Sequence, residues 1–578
     1  MTVAAARSIL LRCALPAALL AGCQESLFRD QQTPYTVPEE TLRELVPADL
    51  GSAQYGPPVP LEQAIEGATA GGFRSTAYER SRTMTIAEIR ALTLANNLDL
   101  RVQLVAPDIA KTSITQEEAK FDSTFFAEYR RNGNNLLTQL QNNEGLFDDQ
   151  YLLGLNMPLA TGGSLSFTPE FTDSAATLPG DPAADQAVMN FSISQPLLRN
   201  AGVDVFTASI RAARLQGQIV DSRTKLEALR ILATADRAYW NHYRAWRELE
   251  VRKQQYELAL LQLARAKVRV SAGDAPEVEL MRAESGVGTT LENVILADAA
   301  VRNRQRDLKR IINDPNMQMS DGTAIVPATQ PNPVGLQLDA FALADQAVRD
   351  RMEMLELELQ LAVDATNVEV TRNAALPLFS FDFNYQLVGQ GDGFGNSVSN
   401  LGNDDQFQIG ARAEVPITNE LRLSQFRRAI LQRVQRLATK DARAQSIRQE
   451  VLNAVDNLDT AWQRILAARL ATIFAARTYQ AERRQFEVGL RTSIEVQDAA
   501  ARLGDAQTRE VNALAAYEIA LIDAAFATGT LAGGARIRWD QFEARDPSAM
   551  PATGIDGTLT PAATRTSPGS APAAVPAS

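Results

Sequence analysis

The chain has 578 residues, with 57 basic against 69 acidic side chains, a balance that argues against a nucleic-acid partner. One histidine, His242, and two cysteines, Cys13 and Cys23, nearly exclude histidine-based acid–base catalysis, Cys/His metal sites and a disulfide framework. No nucleophile–base pair or metal-spaced cluster appears, so neither an enzyme nor a bound cofactor is expected, and no internal run of ~20 apolar residues supplies a transmembrane helix.

In chain order, Arg7 and Arg12 lead into a short apolar stretch that ends in Leu20-Ala21-Gly22-Cys23. This resembles a bacterial lipoprotein signal: residues 1–22 would be removed and Cys23 acylated. Gln24, in place of the Asp that retains lipoproteins at the inner membrane, implies sorting to the outer membrane by the same resemblance. Residues 23–82 are rich in Pro, Glu and Gly and read as an extended leader. Helical periodicity runs from Thr85 to about Ala119, with a kink at Pro107. Strand-like alternation follows at 125–130, 151–157, 164–167 and 189–194, separated by Asn-, Gly-, Asp- and Pro-containing loops. A helix from about Val205 to Val270 then turns at Ser271–Pro276 and returns as a helix to about Ile312.

A Pro-rich linker, 314–336, precedes a helix over about 338–372. Next comes the clearest strand, with Phe379, Phe381, Phe383, Tyr385 and Leu387 on one face and Ser380, Asp382, Asn384 and Gln386 on the other. A loop is predicted over 389–405, then a partner strand through Phe407, Ile409, Ala411, Ala413 and Val415. A second long helix runs from about Glu420 to Glu487, turns at Gly489 and returns to about Thr528. The tail, 532–578, is of low complexity and predicted to be disordered.

The second half restates the first. A shift of 216 positions (489 − 273) lays Ala245-Trp246 on Ala461-Trp462, Gly273 on Gly489, Glu279 on Glu495 and Gly288 on Gly504 without a gap. Two structural units result, 83–313 and 337–531. The aromatic-and-polar strands fit a sandwich, a sheet covering a helix, or barrel strands with one face to lipid. The third choice forces an oligomer, because a few strands per chain cannot close a barrel and an open edge is not tolerated in lipid. An amphipathic helix of ~65 residues must likewise pack beside others.

Thr85-Ile86-Ala87-Glu88 through Leu100, Val348 to Met354, Ser194-Gln195-Pro196-Leu197-Leu198-Arg199, and above all Gln485-Phe486-Glu487-Val488-Gly489-Leu490-Arg491-Thr492-Ser493-Ile494-Glu495-Val496-Gln497-Asp498-Ala499 stand out as motifs. Together they resemble the TolC family of outer-membrane efflux proteins. The resemblance implies a mainly α fold with β: long antiparallel helical hairpins forming an α-barrel tunnel, strands contributed to a shared transmembrane β-barrel, and a homotrimer. It implies hairpin tips at Gly273 and Asp274 and at Val488, Gly489 and Leu490, facing a periplasmic adaptor that couples to an inner-membrane pump. It carries an acidic ring at the periplasmic entrance onto Glu495 and Asp498, and charged links of the closed state onto Arg491 and Glu279. Two departures stand out. Strand-like sequence at 151–171 enlarges the first half's hairpin or adds strands, and Asp274-Ala275-Pro276-Glu277 replaces the family's usual Thr at the first tip.

The leading function is therefore a passive outer-membrane conduit for efflux or type I secretion. The alternative is a periplasmic coiled-coil lipoprotein tether without a pore, whose strands would lie in water. Trp246 and Trp462 are expected to be packing residues, and His242 to sit on a helix surface without a role.

Overall fold

A computed structural model of the chain describes residues 80–133, 147–174, 185–488 and 490–534, with position 61 in isolation. The signal segment, Cys23, nearly all of the leader, Gly489 and most of the tail lie outside the described residues.

The opening segment forms strand β1 (Arg80–Met84) and three short helices, α1 (Ile86–Asn96), α2 (Leu98–Leu104) and α3 (Ala106–Glu118). The predicted single helix is thus broken twice. Thr85 caps α1 through a capping box with Glu88, and Asn97 both ends α1 and caps α2. Pro107 stands in the first turn of α3, where its missing N–H costs nothing, so it starts a helix rather than kinking one.

Four strands follow: β2 (Thr124–Gly133), β3 (Phe147–Pro158), β4 (Ser164–Ser174) and β5 (Asp185–Pro196). After the short α4 (Val203–Phe206) come α5 (Ala208–Ser271) and α6 (Glu277–Ile312). The 314–336 linker is not structureless. It contains β6 (Thr323–Pro327), which pairs in parallel with β1, so the last residues of the leader are clamped to the junction between the halves.

The second half holds α7 (Ala340–Asp350), α8 (Met352–Ala374), β7 (Leu378–Gly391), α9 (Phe394–Ser399), β8 (Asp404–Glu414), α10 (Glu420–Glu487), α11 (Ser493–Ala527) and the short α12 (Leu531–Gly534). The helix expected over 338–372 divides at Arg351, which is extended and nearly fully buried. Its guanidinium pairs with Glu353 and, at 2.5 Å, with Glu450, and Arg443 bridges the same two carboxylates at 3.3 and 2.9 Å. Burial alone would raise both carboxyls, but the two guanidiniums hold Glu353 and Glu450 below the ordinary glutamate range. The loop at 389–405 contains α9, whose Phe394 meets Phe171 edge-on at 4.9 Å between ring centres.

Strands β2-β3-β4-β5-β7-β8 form one antiparallel sheet in that order. Its register explains its chemistry. Phe125, Leu155, Phe167, Phe191, Tyr385 and Phe407 are aligned across all six strands. The next row, one residue along and on the opposite face, is Thr124, Asn156, Ser166, Ser192, Asn384 and Gln408. Period-two alternation in each strand thus becomes one apolar and one polar face for the whole sheet. Side chains of the polar face bond laterally, as in Ser166 to Ser192 at 2.5 Å and Ser194 to Asp382 at 2.6 Å.

At ~1.5 Å per residue, α5 and α10, with 64 and 68 residues, are each roughly 100 Å long. Among the described residues a small cluster joins Leu100 to Ala228 and Ile231, and two larger cores hold most of the other buried hydrophobic residues. One joins Met84 and Ile89 to Tyr239, Trp240, Leu308 and Ile325; the other joins Ala347 and Met354 to Ile447, Val451 and Tyr517. His242 belongs beside the first core and is fully buried, which corrects its expected surface position. Its Nε2 lies 2.8 Å from the Ile325 carbonyl oxygen, and burial lowers its pKa, keeping the ring neutral. Trp462 packs over Gly335 and lies 6.0 Å from the ring centre of Tyr517. No helix among the described residues is long and apolar enough to cross a membrane.

Candidate functional site: the two hairpin tips

The α5–α6 turn closes by a hydrogen bond from the Asp274 N–H to the Arg269 carbonyl, 2.9 Å. Gly273 takes φ +76°, a left-handed conformation that glycine adopts without strain, and Pro276 caps α6. The departure from the usual Thr therefore gives a proline-capped turn. At the second tip the Leu490 N–H donates to the Gln485 carbonyl at 2.9 Å, and Thr492 with Glu495 forms a capping box that starts α11. Val488 and Leu490 are exposed, 71% and 76%, so this end of the molecule presents apolar surface where helix ends would normally be polar.

Arg491 is pinned within its own hairpin. It pairs with Glu482 at 3.2 Å and Glu495 at 2.7 Å and donates to the Gln485 side chain at 2.9 Å. Glu495 accepts from the Thr492 N–H at 2.8 Å and from Arg491, in that order of effect, and both lower its pKa. Asp498 lies one turn along α11 and pairs with Arg502 at 2.7 Å. Arg491 and Glu279 are not brought together within one chain. Glu279 instead lines the groove between the tips, with Arg265, Arg269, Arg483, Tyr479 and Phe486. There the Arg269 guanidinium lies 5.5 Å from the centre of the Phe486 ring, a cation–π contact joining the two hairpins.

Sequence reasoning missed a second link between the hairpins. A Cβ on Gly504 of α11 would fall 1.4 Å from the Gln255 amide nitrogen of α5, and one on Gly286 of α6 would fall 2.2 Å from that of Gln497 of α11. Each glutamine thus lies across a glycine of the opposite hairpin. The signal was present: a glycine inside a long helix costs ~1 kcal/mol relative to alanine and usually has a packing reason. Gly288, the repeat equivalent of Gly504, has no such neighbour. Among the described residues no group of acidic, His or Cys side chains is arranged to hold a metal ion.

Residues 343–530 match the Outer membrane efflux protein family. The outer membrane protein TolC of Vibrio cholerae is 24% identical over 348 residues, covering 60% of this chain and 76% of that protein. The crystal structure of CusC superposes with a TM-score of 0.58 at 14% identity, covering 79% of this chain and 95% of CusC. The Campylobacter jejuni CmeC outer membrane channel also gives 0.58, at 15% identity, covering 79% and 91%. The fold is therefore the one these two structures share: a two-faced sheet carried on long helical hairpins. Over its second half the chain is thus similar to outer membrane efflux proteins, and over much of its length to TolC of Vibrio cholerae.

Proposed function

We infer that the protein is the outer-membrane conduit of a tripartite efflux or type I secretion assembly, a homotrimer that passes cargo without doing chemistry. The carrying observation is the sheet. Its apolar row through Phe191 and its polar row through Ser192 span every strand, and both edges are unpaired among the described residues. Apolar outward and polar inward is the arrangement lipid and a water-filled lumen require. The tether reading leaves Phe125, Phe191 and Phe407 in water, which disfavours it. In this reading acylated Cys23 adds an anchor, the helical hairpins form the periplasmic tunnel, and the tips, with exposed Val488 and Leu490, meet the adaptor.

The test is single-channel conductance of the mature protein in a planar bilayer, beside a Glu495→Ala/Asp498→Ala double variant. Discrete cation-selective steps are expected, with reduced selectivity in the variant, because three copies of both carboxylates concentrate negative charge around one axis. No steps after confirmed insertion would return the protein to the tether class.

Arg491→Ala is expected to raise the uptake of large antibiotics by intact cells. It frees Glu482 and Glu495 at the tip, where both now hold one guanidinium. Unchanged permeability at normal protein levels would remove Arg491 from any closing role.

A further inference from the structure

Among the described residues the first half contributes two hairpins to the sheet, β2–β3 and β4–β5, whereas the second contributes one, β7–β8. We propose that three copies close this sheet into a single eighteen-stranded barrel, six strands from each, in which β8 of one copy pairs with β2 of the next. The proposal rests on the trimeric conduit inferred above and adds the strand number, the seam and the width.

Three observations carry it. First, the two edge strands run in opposite directions, because each of the five pairings in the sheet is antiparallel. A β8–β2 junction therefore continues the same ladder. Second, the edges are the least covered part of an otherwise uniform row. Phe125 of β2 and Phe407 of β8 are each 70% exposed, whereas Phe191, in the same row on an inner strand, is 39% exposed. Third, the faces match across the seam: Phe125, Ala127 and Tyr129 of β2 share the apolar face with Phe407, Ile409 and Ala411 of β8. A second copy completes both the ladder and the row, and in lipid an edge left unpaired would have no water to satisfy its backbone N–H and C=O groups.

The consequence is width. With strands ~4.8 Å apart and tilted ~40°, an eighteen-stranded barrel is about 36 Å across, backbone to backbone. One hairpin from each half would give twelve strands and about 24 Å. The lumen wall of the wider barrel carries the neutral row of Thr124, Asn156, Ser166, Ser192, Asn384 and Gln408 from every copy. The membrane section is thus wide and uncharged at that level, suited to bulky hydrophilic cargo, and carboxylates return to the same wall in the row that holds Glu128, Glu170 and Asp404.

Disulfide trapping in native outer membranes tests the seam. The only natural cysteines are Cys13 and Cys23, so the background is low. Within one chain β2 and β8 are five strand spacings apart, ~24 Å, far beyond the ~7 Å limit of a disulfide, so any bond joins two copies. Ala127→Cys is combined in turn with Ile409→Cys, Ala411→Cys and Ala413→Cys, which share its face, and with Gly410→Cys, which does not. The expected result is a reducible ladder ending at three chains for at least one same-face pair and none for Gly410→Cys. A ladder ending at two or four chains overturns the strand number. No ladder from any pair in protein that still conducts overturns the seam but leaves the conduit; wild-type protein that never conducts overturns the conduit itself. End-on electron-microscopy averages of the wild type supply a variant-free reading, since a ring of about 24 Å rather than about 36 Å excludes eighteen strands.

Discussion

Phe383→Arg is expected to abolish recovery of folded protein from the outer membrane, while Asn384→Arg, one residue along, is expected to insert normally. Phe383 stands in β7 between Ile193 and Ile409 on the apolar face, and Asn384 between Ser192 and Gln408 on the polar face. A charge facing lipid near the midplane of a barrel costs about 2–4 kcal/mol, and the proposed trimer would bear that cost three times. The same charge facing the lumen stays in water and only changes the field along the passage. The measurements are the yield of heat-modifiable protein in outer membranes and, for Asn384→Arg, the reversal potential in a salt gradient, which is expected to move toward anions. Equal losses from both substitutions would mean that the two faces do not meet different solvents, and the assignment of lipid and lumen sides would fall.

Arg351→Met carries the second large effect. The guanidinium side chain is 4% exposed and holds Glu353 and Glu450, and it also lies 3.5 Å from the Ala527 carbonyl at the end of α11. Removing it leaves two carboxylates to share Arg443. Breaking a buried ion pair from one side costs about 3–5 kcal/mol, and the partial exposure of Glu450 places this case near the lower figure. A clear fall in the melting temperature of the helical circular dichroism is expected. The effect depends on pH in a defined sense. Both carboxyls have folded-state pKa values below the unfolded value of ~4.3, so their contribution is complete above that pH and is lost as pH falls through the depressed values. The gap between wild type and variant should therefore narrow below about pH 4. A gap unchanged in acid would show that Arg351 acts by packing alone.

Periodicity made much of this architecture legible. The strands at 379–387 and 407–415 alternate so regularly that their faces needed no structure, and the long helices were bounded by the glycine and proline at Gly273 and Pro276. What the sequence did not display was long-range or irregular. β1 and β6 are five residues each and pair across more than two hundred positions, so neither carries enough alternation to be seen, and β6 was hidden in what looked like a linker. Arg351 breaks a helix without glycine or proline, by exchanging one turn of backbone for a buried charge network. His242 was legible in principle, since it stands three residues after Tyr239 and four before Trp246 on the face that meets the core. Its polarity masked its position. At the tips, sequence located the turns and their charges, but not that Arg491 would be held by its own hairpin or that Gln255 and Gln497 would lie across glycines opposite.

Each excursion of the chain into the sheet begins and ends at a helix: β2 to β5 between α3 and α4, β7 and β8 between α8 and α10. An odd number of strands in either excursion would deliver the chain to the far side of the membrane, away from the helix that must follow. Such a protein can therefore change its bore only by gaining or losing whole hairpins, never single strands. Because every copy changes at once, the smallest step in the proposed threefold assembly is six strands. The calibre of these conduits is in that sense a stepped variable, and insertion of one short duplicated hairpin in the gene would move it by a full step while leaving the tunnel below untouched.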